Sequence, residues 1–448
     1  MVICVVKFKL YKETIPEYSA LQQILYNRDI PLEQQQDWLN ASWESINDWR
    51  LLNEDKMRKM VSVIQSAIEN DLHIVVVVDP DCDGYTSAAI FINYLACLNE
   101  DYTKQYVHWI HHKGKEHGLS DVTNAILENF ADVAIVVCPD SASNDRKEHE
   151  RLKELGITTC VLDHHEVEQD SEDAIVINVQ LSNYPNKALT GAGVTWQFCR
   201  AFDSIRLEQG ETEIYANKFI DLTALGDCGD MADYRQPEIR ALMNLGLGQI
   251  HNPFFYGMSQ KNDYSIQKMN GINYYSCAFY VVPFINAVVR SGTMEEKEIV
   301  FKSFLTLCAF DEIESSKRGH KGELVKLYDE AILIAERVKR RQTKLQDEAM
   351  ALFDKRIQEN NMLENAMLFL LCEPGEVEKN IAGLIANKLQ AKYQRPVAIL
   401  TKSRNKDEEE YYYRGSMRNY SLSEKTNLKY ELEETDLVEW VRGQLYAL

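Results

Sequence analysis

Three short runs of aliphatic and β-branched residues, each leading directly into acidic residues, most constrain what this chain can fold into. The runs are His73–Val78, Val133–Val137 and Thr158–Leu162. Between residues 70 and 250 such runs alternate with helical stretches, one of them over Thr86–Leu98, which is the pattern of βαβ units. Continuous apolar strands of this kind are buried on both faces of a parallel sheet. We therefore predict an α/β fold whose acidic residues gather at the carboxyl edge of that sheet, where such folds bind ligands.

Residues 1–65 read as an extension that precedes this sheet. It begins with a short strand, and helices are predicted over Leu32–Leu39 and Glu54–Ile68. Three tryptophans are candidate packing anchors there, Trp38, Trp43 and Trp49. The extension carries no recognisable chemistry.

The remainder of the chain predicts a connector and a second, smaller α/β domain. Residues 66–255 hold the predicted sheet, and residues 256–360 complete that lobe with an aromatic, aperiodic stretch and a long charged helix over Glu323–Lys355. In residues 361–448, strands over Ala366–Leu371 and Pro396–Leu400 flank a helix over Ile381–Lys392. The acidic run Lys406–Glu410 is interpreted as a solvated loop.

Charge and cysteine content exclude several classes of protein. A formal net charge of −20 argues against a surface that coats nucleic acid non-specifically, because phosphate neutralisation needs clustered Lys and Arg. A local basic groove remains compatible with it. The ten cysteines stand singly, as in a reduced cytoplasmic protein. No stretch approaches the roughly 18 apolar residues that span a bilayer, and the start lacks the marks of a signal peptide, so we expect a cytoplasmic protein without a membrane partner. The oligomeric state cannot be predicted.

The first strand ends in Asp79-Pro-Asp-Cys-Asp-Gly84, which places three carboxylates at alternate positions. Gly84 is expected to supply a backbone conformation closed to other residues. Taken alone, the motif is also compatible with a solvated acidic turn or a calcium loop. An EF-hand is excluded, because no Glu stands at the twelfth position from either Asp79 or Asp81.

Acidic residues also follow the other two strands, as Cys138-Pro-Asp140 and Asp163-His-His165. Singly, a lone Asp is often a helix cap and a His pair is often surface. Together, however, the three strands bring seven side chains to one edge, where unpaired carboxylates would repel each other unless cations neutralise them. Carboxylates with a few imidazoles suit Mn²⁺ or Mg²⁺, and a pair of such ions serves phosphoester hydrolysis. The seven are Asp79, Asp81, Asp83, Asp140, Asp163, His164 and His165.

These motifs resemble those of the DHH family of phosphoesterases. DPDCDG, the Asp of CPDSAS, LDHHE and the Asp of ALGDCGDMAD stand in the order of its four motifs. Leu189–Val194 and Pro283–Arg290 are similar to segments of the RecJ-like subgroup, and Gly383–Leu389, Arg395–Val397 and Arg414–Asn419 to its DHHA1 domain. The resemblance covers residues 70–448 and implies a DHH lobe with a mainly parallel sheet, a long helical connector and a smaller α/β DHHA1 lobe.

The resemblance also implies roles for individual residues. Asp140 would bridge two ions of Mn²⁺ or Mg²⁺. Asp79 and Asp163 would lie beside the metals as catalytic residues, and His165 would face the substrate phosphate or the metal-bound water. Asp227 is less suited as a ligand than Asp230. The implied metal ligands are Asp81, Asp83, Asp140, His164 and Asp230.

Two positions depart from the family pattern. Val77 stands four residues before Asp81, where the family usually has His, so one metal would lose a ligand. His73 is too far along the strand to replace it. Gln444 stands where the family's C-terminal substrate loop has His, which predicts a weaker grip on the distal substrate. A neighbouring loop could supply the missing imidazole, or its histidines could simply belong to a polar surface loop. The candidates are His108, His111, His112 and His117.

The resemblance predicts an exonuclease that hydrolyses single-stranded DNA, 5′ to 3′, through a water activated by two metals, with a role in repair or recombination. Two other functions stay open: a phosphodiesterase of short oligonucleotides or cyclic dinucleotides, and a catalytically impaired relative that only binds nucleic acid. The retained carboxylates count against the latter. The candidate contacts to phosphate or sugar are Arg290, Arg414, Ser416 and Arg418. Each of the three arginines could instead form a surface salt bridge.

Overall fold

The structure, a computed structural model, describes residues 12–114, 116–320, 322–404 and 411–420. These residues form two compact units. The first comprises the chain through Val289 together with Thr293–Ala335, and the second comprises Arg290–Gly292 and the residues from Glu336 onward. Within the described ranges, no helix has the length and apolarity needed to cross a membrane. The strand expected at the start, the acidic run at 406–410 and Gln444 lie outside the described residues.

The first unit begins with three helices, α1 (Ala20–Tyr26), α2 (Leu32–Leu39) and α3 (Glu54–Glu69). The helices predicted for α2 and α3 are confirmed. In α3 the buried apolar residues recur mostly three apart along one face, and a cap from Asn53 starts the helix.

Of the three tryptophans expected to anchor this region, only one is fully buried. Trp49 is buried and Trp38 is half-buried, but Trp43 is 43% exposed. The expectation for Trp43 is wrong because its ring only leans on Trp196 from a surface turn, with ring centroids 6.2 Å apart.

Five strands then form the sheet: β1 (His73–Val78), β2 (Val107–His111), β3 (Val133–Pro139), β4 (Thr158–Asp163) and β5 (Ile175–Asn178). They lie in the order β2-β1-β3-β4-β5, and every pair is parallel. The predicted parallel sheet is confirmed, although β2 and β5 were not predicted. The chain leaves β1 towards one side of the sheet and leaves β3 towards the other. The switch point at which such folds bind ligands therefore lies between the carboxyl ends of β1 and β3.

Helices cover both faces of this sheet. Val75, Val77 and Val136 pack against α6 and α7 on one face, and α4 and α8 lie against the other, with α9 packed on both of them. The helix α4 is buried on nearly every side, which explains why its sequence is apolar all round. The helices of this region are α4 (Cys82–Leu98), α5 (Glu100–Tyr106), α6 (Thr123–Asn129), α7 (Arg146–Glu154), α8 (Gly191–Glu208), α9 (Ile220–Gly229) and α10 (Pro237–Gly248).

The aperiodic stretch that follows is helical. It contains α11 (Pro253–Lys261), α12 (Asp263–Gln267), α13 (Tyr274–Tyr280), α14 (Val282–Ser291) and α15 (Met294–Phe304). A hairpin of β6 (Glu312–Glu314) and β7 (Leu324–Lys326) leads into α16 (Leu327–Glu359). The long helix predicted from Glu323 begins instead at Leu327, because the preceding residues pair with β6.

The second unit is a small α/β structure, as predicted. Its elements are β8 (Leu368–Cys372), α17 (Ala382–Tyr393), β9 (Val397–Arg404) and β10 (Tyr411–Arg418). The sheet order is β10-β9-β8, with β8 parallel and β10 antiparallel to β9. On one face, Phe353 and Ile357 of α16 and Ile385 and Leu389 of α17 pack against Ile399 and its neighbours.

Candidate metal centre

The first acidic motif forms a strand, a turn and the start of a helix. Asp79 follows β1, Asp81 caps α4 by accepting from Gly84 N at 2.9 Å, and Asp83 lies in the first turn of α4. The reason expected for Gly84 is wrong, because this residue has an ordinary helical conformation. A Cβ on Gly84 would lie 2.5 Å from Asp79 Cβ, so glycine is needed here for close approach.

Asp140, at the end of β3, has a left-handed backbone conformation with φ of 67°. Its N–H donates to Leu162 O at 2.7 Å, which ties it to the adjacent strand β4. Most side chains are strained in this region of the backbone map, although Asp and Asn tolerate it better than others. Strain of this kind concentrates at functional sites, where the surrounding structure holds the residue in place.

Backbone groups hold the carboxylate of Asp83. Gly191 N and Ala192 N, at the start of α8, donate to its two oxygens at 2.8 Å and 3.0 Å. A Cβ on Gly191 would lie 2.3 Å from Asp140 Oδ1, and one on Gly226 of α9 would lie 2.5 Å from Asp83 Oδ1. We call Gly191 and Gly226 the glycine cradle. It lets two helices approach the carboxylates more closely than any side chain permits.

Asp163, His164 and His165 act as one structural unit at the end of β4. Asp163 Oδ1 accepts from His164 N at 2.7 Å and from His165 N at 3.2 Å, and it lies 2.8 Å from His165 Nδ1. Its other oxygen accepts from Ser143 N. Burial raises the pKa of Asp163, but these hydrogen bonds outweigh burial and hold the pKa below its ordinary value. Asp163 is therefore an ionised anchor that orients both histidines.

Asp230 and Asp227, in the fourth motif, differ in exposure. Asp230 follows the end of α9, and its side chain is 41% exposed. Asp227 is fully buried and accepts from Thr190 Oγ1 at 2.8 Å. This hydrogen bond ties Asp227 to the start of α8, whereas Asp230 faces His164, with 3.8 Å between Oδ2 and Nε2.

The structure brings these side chains together in three sets whose donor atoms lie within 4.8 Å of one another. Two of the sets share no residue, and the set of Asp140, His164 and His165 connects them. In this connecting set, Asp140 Oδ1 and His164 Nε2 are 3.2 Å apart. Asp140 thus belongs both to the connecting set and to that of Asp79 and Asp81, and His164 belongs both to the connecting set and to that of Asp83 and Asp230. The sets are Asp79 with Asp81 and Asp140, Asp83 with His164 and Asp230, and Asp140 with His164 and His165.

We call the residues of these three sets the carboxylate cluster, and its electrostatics fit a divalent cation. Burial raises the pKa of Asp83 to about 8 and that of Asp230 to about 6, and neighbouring carboxylates add to both shifts. Burial also lowers the pKa of His164 to about 4, which leaves its ring neutral and able to ligate. The buried Oδ1 of Asp79 has no hydrogen-bond partner among the described residues. Carboxylates that resist ionisation so strongly lack a positive partner, and this donor set suits Mn²⁺ or Mg²⁺.

One of the four candidate histidines reaches this cluster. His117 Nδ1 lies 2.7 Å from Asp79 Oδ2, and its side chain is 55% exposed. The loop that carries it is fixed beside the cluster because Leu119 N donates to Asp145 at 2.6 Å. The short His-Gly-Leu sequence gave no signal strong enough to separate this residue from its neighbours.

The other three histidines have partners elsewhere. His108 stacks on His73, His111 contacts Glu298, and His112 contacts Asp121. Val77 is fully buried in the core between the sheet and α6 and α7. Val77 therefore fills a core position and offers no ligand atom to the metal-ligand sets.

The predicted substrate-binding residues all lie in the second unit. Arg414, Ser416 and Arg418 alternate along β10 and so share one face of its sheet. A Cβ on Gly383, at the start of α17, would lie 2.7 Å from Arg418 Nη2 and 3.4 Å from Ser416 Oγ. The Arg290 carbonyl accepts from Asn380 Nδ2 at 3.2 Å. The structure thus gathers Ser416 and Arg418 beside Gly383, and it leaves Arg414 exposed with its guanidinium 4.7 Å from the Tyr412 ring centroid.

Comparison with known proteins identifies relatives along almost the whole chain. Residues 73–226 match the DHH family, N-terminal domain. The chain is 34% identical over 440 residues to YorK of Bacillus subtilis strain 168, described as a candidate prophage-derived single-strand DNA-specific exonuclease, and covers 72% of it. It is 24% identical over 374 residues to the single-stranded-DNA-specific exonuclease RecJ of the same strain, where it spans 41% of the relative.

Solved structures share the fold. Exonuclease RecJ bound to manganese aligns with a TM-score of 0.61 and 21% identity, covering 77% of this chain and 80% of that one. RecJ of Thermus thermophilus in complex with Mn²⁺ aligns with a TM-score of 0.59 and 19% identity, covering 82% and 50%. Because 98% of this chain aligns with YorK at 34% identity, the chain belongs to the DHH family and is a RecJ-like hydrolase.

Proposed function

We propose that this protein is a metal-dependent exonuclease that hydrolyses the phosphodiester bonds of single-stranded DNA from the 5′ end. The observation that carries the proposal is the convergence of the carboxylates and His164 at the switch point of the sheet, in sets that suit two divalent cations. The names of the relatives, YorK and RecJ, support the single-stranded DNA substrate. A role in DNA repair or recombination in the cytoplasm belongs to the same proposal.

In this proposal Asp79, Asp81 and Asp140 hold one cation, and Asp83, His164 and Asp230 hold the other. Cations there supply Lewis acidity, which neutralises charge on the phosphoryl oxygens and favours the ionisation of water. Asp140 belongs to the first of these sets and, through the set that it forms with His164 and His165, adjoins the second, so it is the residue that would contact both cations. The glycine cradle and the α8 N–H groups keep these carboxylates in place before substrate binds.

His165 acts on the substrate phosphate. Its hydrogen bond with Asp163 engages Nδ1 and raises the pKa of His165 to about 9, which leaves Nε2 as a cationic donor at neutral pH. The side chain is 51% exposed and can reach a phosphate oxygen. Asp163 orients the ring and does not take up the proton, because its own pKa is depressed. Asp79 keeps one oxygen on His117 and turns the other towards the first metal set.

The proposal also includes phosphate and sugar contacts by residues of the second unit, which are Arg290, Arg414, Ser416 and Arg418. Arginine grips a phosphate with two parallel hydrogen bonds, and serine donates one. The exposure of Arg414 and Arg418 leaves their guanidinium groups accessible to solvent and to substrate. These contacts hold the strand in register but do not read its sequence.

The test is nuclease activity on 5′-labelled and 3′-labelled single strands with Mn²⁺, compared between the wild type and Asp140→Asn. Asn tolerates the left-handed backbone of residue 140 but removes the charge, so we expect kcat to fall roughly 1,000-fold. The matched control is Asp173→Asn, which removes a half-buried carboxylate paired with Lys153 and should leave kcat unchanged. Release of mononucleotides from the 5′ end only would support the stated polarity. A strong preference for a dinucleotide over a long strand, or no cleavage with any metal, would refute the exonuclease.

A further inference from the structure

Aromatic rings form a continuous strip at the surface of the first unit. Tyr275 and Tyr274 meet edge to face with centroids 5.5 Å apart, Tyr274 stacks on Tyr234 at 5.4 Å, and Tyr234 meets Trp38 at 6.2 Å. Phe279 stands one helical turn from Tyr275 on the same face of α13. We call these five residues the aromatic strip.

The outer end of the strip is open to solvent. Tyr275 is 58% exposed and Phe279 is 65% exposed, so two large rings stand side by side outside the core. The opposite face of α13 is buried through Ser276 and Cys277. The rings of Tyr275 and Phe279 therefore take no part in the buried packing that holds the helix in place. Paired exposed rings of this kind usually mark a binding surface.

The middle of the strip, at Tyr274, adjoins the carboxylate cluster. The helix α13 packs on α9, where Cys228 Sγ lies 4.0 Å from Tyr274 O, and Cys228 is two residues before Asp230. Burial raises the pKa of Tyr274 to about 12, and the charges of Asp227 and Asp230 contribute to that shift. Tyr274 thus lies near a predicted metal ligand, and Tyr275 and Phe279 extend the strip from there towards solvent.

Charge explains why a stacking surface suits this location. The chain has a formal net charge of −20, and the cluster itself is made of carboxylates. This charge disfavours phosphate contacts around the cluster other than those made by the cations and His165. Base stacking on aromatic rings supplies binding energy that needs no positive charge, and every base has a face that can stack.

We propose that the aromatic strip, through Tyr275 and Phe279, stacks against bases of a single-stranded nucleic acid next to the scissile phosphate. The inference rests on the proposed nuclease function and adds a base-binding surface to it. In a duplex the faces of the bases are already stacked on each other, so this surface selects single strands. It holds bases of any identity, because the rings offer no hydrogen-bond pattern that distinguishes them.

The test measures KM and kcat on single strands for Tyr275→Ala, Phe279→Ala and the double variant. Each lost ring should raise KM about 5- to 100-fold, the range of base–aromatic stacking, with kcat and Mn²⁺ affinity unchanged. Tyr275→Phe keeps the ring and should restore the wild-type KM. The matched control is Phe310→Ala, which removes a ring of similar exposure whose described ring contact is Tyr328, outside the strip.

A second substrate separates stacking from other effects. A strand whose 5′-terminal nucleotides lack bases should bind the wild type as weakly as an intact strand binds the double variant, and the double variant should not distinguish the two strands. If the double variant has an unchanged KM, as expected if the rings bind a protein partner, the base-stacking proposal is refuted and the nuclease proposal is unaffected. A wild type that neither binds nor cuts single strands would overturn both proposals.

Discussion

The carboxylate cluster of the first unit and the strand β10 of the second hold their functional side chains in different ways. In the cluster, backbone N–H groups fix the acids: Asp83 accepts two such hydrogen bonds and Asp163 accepts three. On β10, Arg414 and Arg418 are exposed, and Arg418 donates to the adjacent carbonyl of Met417. The difference indicates that the cluster owes its geometry to the backbone, whereas the proposed grip of β10 on substrate would depend on separate exposed side chains. A small change should therefore be severe in the first region and graded in the second.

Among the changes that test this contrast between the two regions, Gly191→Ala is expected to have the largest effect. Its added Cβ would lie 2.3 Å from Asp140 Oδ1, so the carboxylate or the start of α8 must move. Disturbing the support of a metal ligand typically costs 10–100-fold, and we expect roughly a 100-fold loss in both kcat and Mn²⁺ affinity. Calorimetric titration with Mn²⁺ and steady-state kinetics measure the two quantities.

Gly248→Ala is the matched control for that change. Its Cβ would meet no atom within 4 Å, so the variant should keep wild-type kinetics and Mn²⁺ affinity. If Gly191→Ala behaves like Gly248→Ala, the cluster tolerates displacement and the contrast between the two regions disappears.

An intermediate effect is expected from His117→Ala. The change leaves Asp79 without its partner at 2.7 Å, and we expect about a 10-fold fall in Mn²⁺ affinity with a smaller fall in stability. His117→Asn places an amide near the position of Nδ1 and should recover much of the affinity. His320→Ala serves as control, since it breaks an exposed pair of the same length with Glu323. Equal Mn²⁺ affinity in all these variants would show that His117 only decorates the surface.

The smallest effect is expected from Arg418→Ala. Losing one phosphate contact should raise the KM for single-stranded DNA about 5-fold and reduce the salt dependence of binding by about 0.7 in the log–log slope, with kcat unchanged. Binding measured by fluorescence anisotropy at several salt concentrations gives both values. Lys355→Ala, which removes an exposed charge paired with Glu359, should change neither. A loss of kcat in Arg418→Ala would mean that β10 is as tightly coupled to chemistry as the cluster.

The sequence predicted the strands best where their residues are continuously apolar. His73–Val78 was predicted with its bounds as observed. The strand β2, with the sequence Val-His-Trp-Ile-His, mixes polar and apolar residues because it lies at the edge of the sheet, and β5 has only four residues. The helices between residues 253 and 304 escaped because most are short and carry aromatic residues on exposed faces.

For the site, the sequence predicted which acids would converge but not what supports them. Strand ends at one sheet edge account for Asp79, Asp140 and Asp163, since parallel topology brings them together. The support from His117 and the glycine cradle depends on loop and helix placement, which no local pattern encodes. The Thr-Gly-Ala-Gly sequence at the start of α8 was the available signal, because two glycines at a helix start indicate close approach of another backbone or side chain.

The left-handed backbone at Asp140 has a consequence for how this lineage can change over time. Either Asp codon becomes an Asn codon or a Gly codon through a single transition, and both products tolerate a φ of 67°. A point mutation can therefore remove the charge of this proposed bridging residue without straining the backbone at residue 140. Among natural relatives that have lost catalysis, we expect substitution by Asn or Gly to be more frequent at the position of Asp140 than at the position of any other acid of the cluster.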